Sequence, residues 1–218
     1  MKPKKLAPQA QSNMTALGAA SAADLTQICL DPGRKLEDRA LACSLLGEIP
    51  SRASVLMLLA MGTTEEEPLL IWHSLAAVGA IGSRRATRPL MRLIKTTRSW
   101  FRRQAAVFAL GQLSDQRAEP LLSRVLQNTK EVAKTRGFAA EALGLLDLAP
   151  QTQKALIAAL QDESAEVRYS ALCGIGAQRN RSALPAVKSL LADRTVVDGT
   201  NTIADRAASV VETLTFPQ

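Results

Sequence analysis

The sequence predicts an all-α protein, an α-α superhelix built from about six two-helix repeats, and three observations lead there. Hydrophobic residues make up 47% of the 218 positions but aromatics only 3%, with Ala and Leu dominant. That composition favours closely packed helices over strands, which draw on β-branched and aromatic residues. A short signature also recurs, in which an Arg is followed by a small or apolar run and then by a Gly eight residues later. It reads RALACSLLG from Arg39, RQAAVFALG from Arg103, RGFAAEALG from Arg136 and RYSALCGIG from Arg168. Finally, Gly47, Gly79, Gly111, Gly144 and Gly176 follow one another at steps of 32, 32, 33 and 32 residues. An even period of that length is the mark of a repeat array.

Along the chain, residues 1–14 read as a flexible basic tail. Its start resembles that of a signal peptide, but Pro8, Gln9, Gln11, Ser12 and Asn13 occupy the place of the required apolar run. Residues 15–218 read as one repeat solenoid, with two helices in each period. The first helix of a pair carries the Arg-to-Gly signature, for example roughly Ser99 to Leu113. The second runs from Pro89 through Lys95, from Pro120 through Gln127 and from Pro185 through Leu191. Proline suits a first helical turn because the N–H it lacks has no partner there. Beyond Pro120 the apolar residues Leu121, Leu122, Val125 and Leu126 recur at helical spacing. A helix pair of this size cannot bury its apolar face alone and must stack on its neighbours. Ala105, Ala106, Ala109, Ala139, Ala140 and Ala142 stand where adjacent first helices need close approach. An insertion, RTVVDGTNTI, displaces a degraded last copy, DRAASVVETL, which fits a variant C-terminal capping repeat. No β-sheet is expected.

The residues that carry chemistry are few. Cys29, Cys43 and Cys173 form no metal-binding spacing, and His73 is the single histidine. The odd cysteine count is a poor disulfide framework and suits a reducing, cytoplasmic compartment. None of the glycines belongs to a phosphate-binding GxGxxG or GxxxxGK[ST] sequence, and there is no GxSxG elbow. No catalytic residue, cofactor or metal ligand is nominated. No apolar stretch approaches the ~20 residues that span a bilayer, so membrane insertion is not expected.

Charge is the one uneven feature. The formal net charge is +7, and from Pro68 through Ser114 there is no Asp or Glu. The candidate partner-binding residues fall in that segment: Arg84, Arg85, Arg88, Arg92, Lys95, Arg98 and Arg102. On a helix beginning near Pro89, spacings of four and three put Arg88, Arg92 and Lys95 on one side, while Leu90, Leu93 and Ile94 face the core. Such a stripe points to an acidic protein or peptide as partner, with nucleic acid as the alternative.

The segments AAVFALGQLSDQRAEPLL, AAEALGLLD and ESAEVRYSALCGIG resemble the phycobilisome-lyase-like short HEAT repeats, and the resemblance spans residues 22–214. It implies a HEAT-like solenoid whose second helices line the concave surface, which would set the basic stripe in or beside a groove. It further implies that Arg39, Arg103, Arg136 and Arg168 pair with acidic or backbone groups near the turns between repeats. Ile71 replaces the Arg in the second copy and interrupts the ladder. Asp115, Asp147 and Asp162 sit where caps or turn contacts are expected. Deoxyhypusine hydroxylase, of similar fold, uses repeated His-Glu pairs to hold iron, whereas the lone histidine here is flanked by Trp72 and Ser74. The implied function is a non-catalytic scaffold or adaptor. Two other readings stay open: a nucleic-acid-binding, DNA-glycosylase-like protein using Trp72, Trp100 and Asp115, and a phycobilisome-lyase-like accessory protein. A bacterial cytoplasmic origin also rests on the resemblance.

Overall fold

The computed structural model describes residues 7–49 and 51–216, and its helices begin where the sequence supplies helix-starting chemistry. The chain divides into two units, Met1–Leu113 and Ser114–Gln218. The first holds α1 (Pro8–Ala16), α2 (Ala22–Leu30), α3 (Leu36–Glu48), α4 (Arg52–Thr64), α5 (Pro68–Ile81), α6 (Thr87–Thr96) and α7 (Trp100–Gln112). Pro8 and Pro68 open α1 and α5. The hydroxyls of Ser21, Ser51 and Ser99 cap α2, α4 and α7 by accepting from an N–H three residues on. Gly82 closes α5 at φ +71°, a left-handed conformation that costs glycine nothing.

Within this unit the first helices α3, α5 and α7 stack in order, and α2, α4 and α6 each pack against the first helix that follows. Leu46, Leu58, Leu70, Leu75, Leu90, Ile94 and Leu110 are fully buried between them. Each contributes about 1.5–3 kcal/mol of hydrophobic stabilisation. Residues 8–14, counted with the tail in the sequence, belong to α1, where Ala10 and Met14 are buried one helical turn apart. The rest of that tail, residues 1–6, lies outside the described residues.

The second unit holds α8 (Glu119–Gln127), α9 (Ala133–Leu143), α10 (Pro150–Ala158), α11 (Ala165–Gln178), α12 (Leu184–Lys188) and α13 (Ile203–Thr215). Here α9, α11 and α13 stack in order, and α8, α10 and α12 each pack on the next of them. Helices α9 and α11 approach each other closely. A Cβ placed on Gly144 would stand 2.6 Å from the Gly174 Cα, so both helices meet backbone to backbone.

The architecture is therefore the expected all-α array of paired helices, thirteen α-helices among the described residues. One element departs from expectation. In the insertion before the last helix, Val196–Asp198 and Asn201–Thr202 form a small antiparallel hairpin, with Val196 opposite Thr202 and Asp198 opposite Asn201. The β-branched Val196 and Val197 favour extended backbone. Gly199, at φ +56°, supplies the tight turn. Thr202 then caps α13 through a reciprocal capping box with Asp205.

Candidate functional site

The basic residues singled out in the sequence divide into two groups by what their guanidinium groups touch. The signature arginines are turned inward. Arg39 donates from Nε to the Cys29 carbonyl at the end of α2 (2.9 Å) and from Nη2 to Glu65 (2.8 Å). Arg103 donates to the Thr97 carbonyl at the end of α6 (2.9 Å). Arg136 pairs with the Asp162 carboxylate. Arg168 donates to the carbonyls of Asp162 (2.8 Å) and Glu163 (3.1 Å) and to the carboxylate of Asp193 (3.0 and 2.8 Å). The last carbonyls of a helix have no partner inside it and carry partial negative charge, so a cation placed there both bonds and neutralises them. The ladder implied by the family resemblance is thus present, and Ile71 is a buried apolar residue at its interruption.

Arg102, grouped by charge with the binding residues, sits in the first turn of α7 and donates from Nε to the Gly62 carbonyl (3.0 Å) and from Nη2 to that of Glu65. Those carbonyls close α4, where Ile71 offers no donor. Arg102 belongs with the signature arginines, because orphan carbonyls at a helix end are stronger partners than solvent.

The remaining candidates stand together at the surface. Arg88, Arg92 and Lys95 are exposed along one side of α6, while Leu90, Leu93 and Ile94 are buried on the other. Arg84 and Arg85 are exposed on the 3-10 turn Arg84–Ala86 that leads into α6, and Arg98 is exposed in the loop that follows it. Arg85, Arg88, Arg92, Lys95 and Arg98 have no ion-pair or hydrogen-bond partner for their side chains among the described residues. Beside Arg85, a cavity of about 390 Å³ opens between the start of α4 and the end of α5.

The polar residues weighed for catalysis have structural employment. Trp72 packs against Phe108 and Phe101, with ring centroids 5.0 and 6.3 Å apart. Trp100, 57% exposed, meets Phe101 edge to face. The Asp115 carboxylate caps a turn, accepting from the backbone N–H of Arg117 (3.1 Å) and binding its guanidinium. Asp162 likewise accepts from Ser164 N–H (2.9 Å). Asp147 engages Gln116 through its main chain rather than its carboxylate. Cys29 and Cys43, which the sequence leaves unpaired, bring their sulfurs to 3.3 Å in the buried contact between α2 and α3. The hydrogen bond with Cys43 and burial hold the Cys29 thiol far above its usual range. Among the described residues no group of three or more His, Cys, Asp or Glu is placed to hold a metal ion. Nor is any helix long and apolar enough to cross a membrane.

His73 gives a test of local packing. Its Nδ1 lies 2.7 Å from Ser44 Oγ between α3 and α5, and burial lowers its pKa from 6.5. A histidine whose folded pKa is depressed adds its full stability above the unfolded value and loses it as pH falls through the folded value. The urea midpoint should therefore drop as pH falls below the ordinary histidine value of 6.5. His73→Gln should flatten that drop. An identical pH profile for variant and wild type would contradict the packing at this contact.

Comparison with known proteins places the geometry in context. The model for HEAT repeats matches residues 22–111, and the model for the PBS lyase HEAT-like repeat matches residues 102–128. No curated protein matches the chain in sequence. Among solved structures, the complex of CpcE and CpcF of phycocyanin lyase from Nostoc sp. PCC7120 superposes with a TM-score of 0.59 at 18% identity, over 73% of this chain and 99% of that one. YibA of E. coli gives 0.55 at 16% identity, over 97% and 88%. A designed armadillo repeat protein gives 0.52 at 16% identity, over 89% and 100%. At these identities the likeness is one of fold.

Proposed function

We propose that this chain, whose residues 22–111 match the model for HEAT repeats and 102–128 that for the PBS lyase HEAT-like repeat, is a non-catalytic scaffold that docks an acidic protein or peptide on the exposed face of α6. The observation that carries this reading is the division among the arginines. Those of the signature, and Arg102, spend their donors on carbonyls and carboxylates of the stack. Arg85, Arg88, Arg92, Lys95 and Arg98 leave theirs to solvent, in a segment, Pro68 through Ser114, that contains no acidic residue. Unbalanced charge of one sign attracts and orients a partner of the other. A folded or peptide partner fits better than a nucleic acid, since the cluster is local and few aromatic side chains stand near it to stack on bases.

The test is binding of a partner recovered from native extract to wild type and to the Arg88→Ala/Arg92→Ala/Lys95→Ala variant. Affinity for wild type should fall as salt rises, because exposed charges are screened over about 8–10 Å at ordinary ionic strength. The variant should bind about tenfold or more weakly at low salt, with one or two positions dominating when the substitutions are made singly. Equal, sequence-independent losses at every position would point to a phosphate backbone instead. Equal affinity of wild type and variant would remove α6 from the binding surface.

A further inference from the structure

The cavity beside Arg85 has a composition that neither the fold nor the stack requires. Val55, Leu56 and Ile81 form its apolar part, and Arg52, Arg85, Ser51 and Ser83 its polar part. Its volume, about 390 Å³, lies at the small end of the ~300–1,000 Å³ range of ligand sites, enough for one or two side chains. Among the described residues, two cations line it and no carboxylate does. Neither Arg52 nor Arg85 has a side-chain partner among the described residues.

The repeat itself shows what is missing. Gln116–Ala118 forms a 3-10 turn one period after Arg84–Ala86, so Arg117 corresponds to Arg85 and Asp115 to Ser83. In the later turn Asp115 neutralises Arg117 through paired hydrogen bonds. In the earlier one a serine stands at the acidic position, and its side chain caps nothing. Arg85 is thereby released. Arg52, at the first position of α4, adds a second cation beside a helix start with no acidic residue in its first turn, where negative charge is favoured. Leu56 is 61% exposed at the rim, an apolar side chain left in water next to the two cations.

We propose that this cavity anchors the docking face, taking an Asp or Glu side chain of an acidic peptide together with the aliphatic residue next to it. The anion supplies to Arg85 and Arg52 what Asp115 supplies to Arg117, and the aliphatic neighbour covers Leu56. Among the described residues no aromatic side chain lines the cavity to stack on a base. From Arg85 the turn leads directly into α6. Arg88 to Lys95 spans roughly 10 Å of helix at about 1.5 Å per residue. About three residues of extended peptide cover the same length. A segment with an aliphatic-acidic anchor followed by a few further acids therefore matches cavity and stripe together. This inference rests on the docking function proposed above.

The test uses a fluorescein-labelled, end-blocked peptide, Ser-Leu-Glu-Glu-Asp-Glu-Ser, titrated with the full chain at low salt and followed by anisotropy. Arg52→Ala/Arg85→Ala should weaken binding about tenfold, and so should replacement of the peptide acids by their amides. Replacing the peptide Leu by Ser should weaken binding to wild type about threefold but change nothing for Leu56→Ser. These peptide substitutions keep the test valid even if a protein variant folds poorly. If only Arg88→Ala/Arg92→Ala/Lys95→Ala loses affinity, the cavity proposal is overturned and the α6 face stands. If only Arg52→Ala/Arg85→Ala loses it, the cavity stands and the α6 face does not. No binding to wild type, or no loss in either variant, overturns the cavity proposal. So does single-stranded DNA of equal charge that binds as well as the peptide and is weakened alike by both variants.

Discussion

Gly174→Ala should destabilise the protein by about 2 kcal/mol, although alanine is the better helix former by about 1 kcal/mol. The added methyl would stand 2.5 Å from the Ala140 carbonyl oxygen and 3.4 Å from a methyl of Leu156. The nearer atom is backbone, so relief requires α9 and α11 to separate along their shared face, and interiors resist that. Gly176→Ala is the control, because its new methyl meets a Val210 methyl at 3.3 Å, on a side chain that can shift. Its effect should stay within about 0.5 kcal/mol. Thermal melting followed by circular dichroism should place Gly174→Ala about 4–8 °C below wild type and leave Gly176→Ala close to it. Wild-type melting of Gly174→Ala would rule out the close approach of the two helices.

Arg136→Ala should cost about 3 kcal/mol. Arg136 is 8% exposed and pairs with Asp162, itself largely buried. Truncating the guanidinium leaves a carboxylate facing the interior with only the Ser164 N–H to satisfy it. The size of that penalty comes from the uncompensated charge more than from the pair, since an ion pair recovers only part of what desolvation takes. Arg136→Met/Asp162→Asn should therefore regain much of the loss, which urea denaturation of the three variants would measure. Unchanged stability in Arg136→Ala would remove the residue from the stack.

Much of this was legible in the sequence, and the exceptions have physical causes. The paired helices follow from the signature and its period, and the stack role of Arg39, Arg103, Arg136 and Arg168 follows from the family resemblance those positions carry. The acidic partners of Arg39, Arg136 and Arg168 carry a signal of their own: Glu65, Asp162 and Asp193 lie 26, 26 and 25 residues after their arginines. Where Ile71 breaks the ladder, the residue 26 positions on is Thr97, so cation and acid are missing together. A charge count cannot separate Arg102 from Arg98. Only the geometry of the first turn of α7 aims Arg102 at the end of α4. The signature has Ala109 and Ala142 at the position of Gly174, and the need for glycine there arises from the Ala140 carbonyl of the facing helix. The hairpin is written in Val196, Val197 and the Asp198-Gly199 turn, a pattern of two short segments that the helical period of the array hides. The cavity leaves a fainter trace, a serine at the place where the next repeat has Asp115.

We propose that the arginine-rich repeat of this chain holds two populations of cations, one that binds the fold and one that binds a partner. Paired melting and affinity measurements on Arg136→Ala and on Arg88→Ala/Arg92→Ala/Lys95→Ala test it most directly. The first variant should melt early, and the second should melt as wild type but lose about tenfold in affinity for the acidic partner at low salt. A triple variant that binds as well as wild type, or one that melts as early as Arg136→Ala, would contradict it.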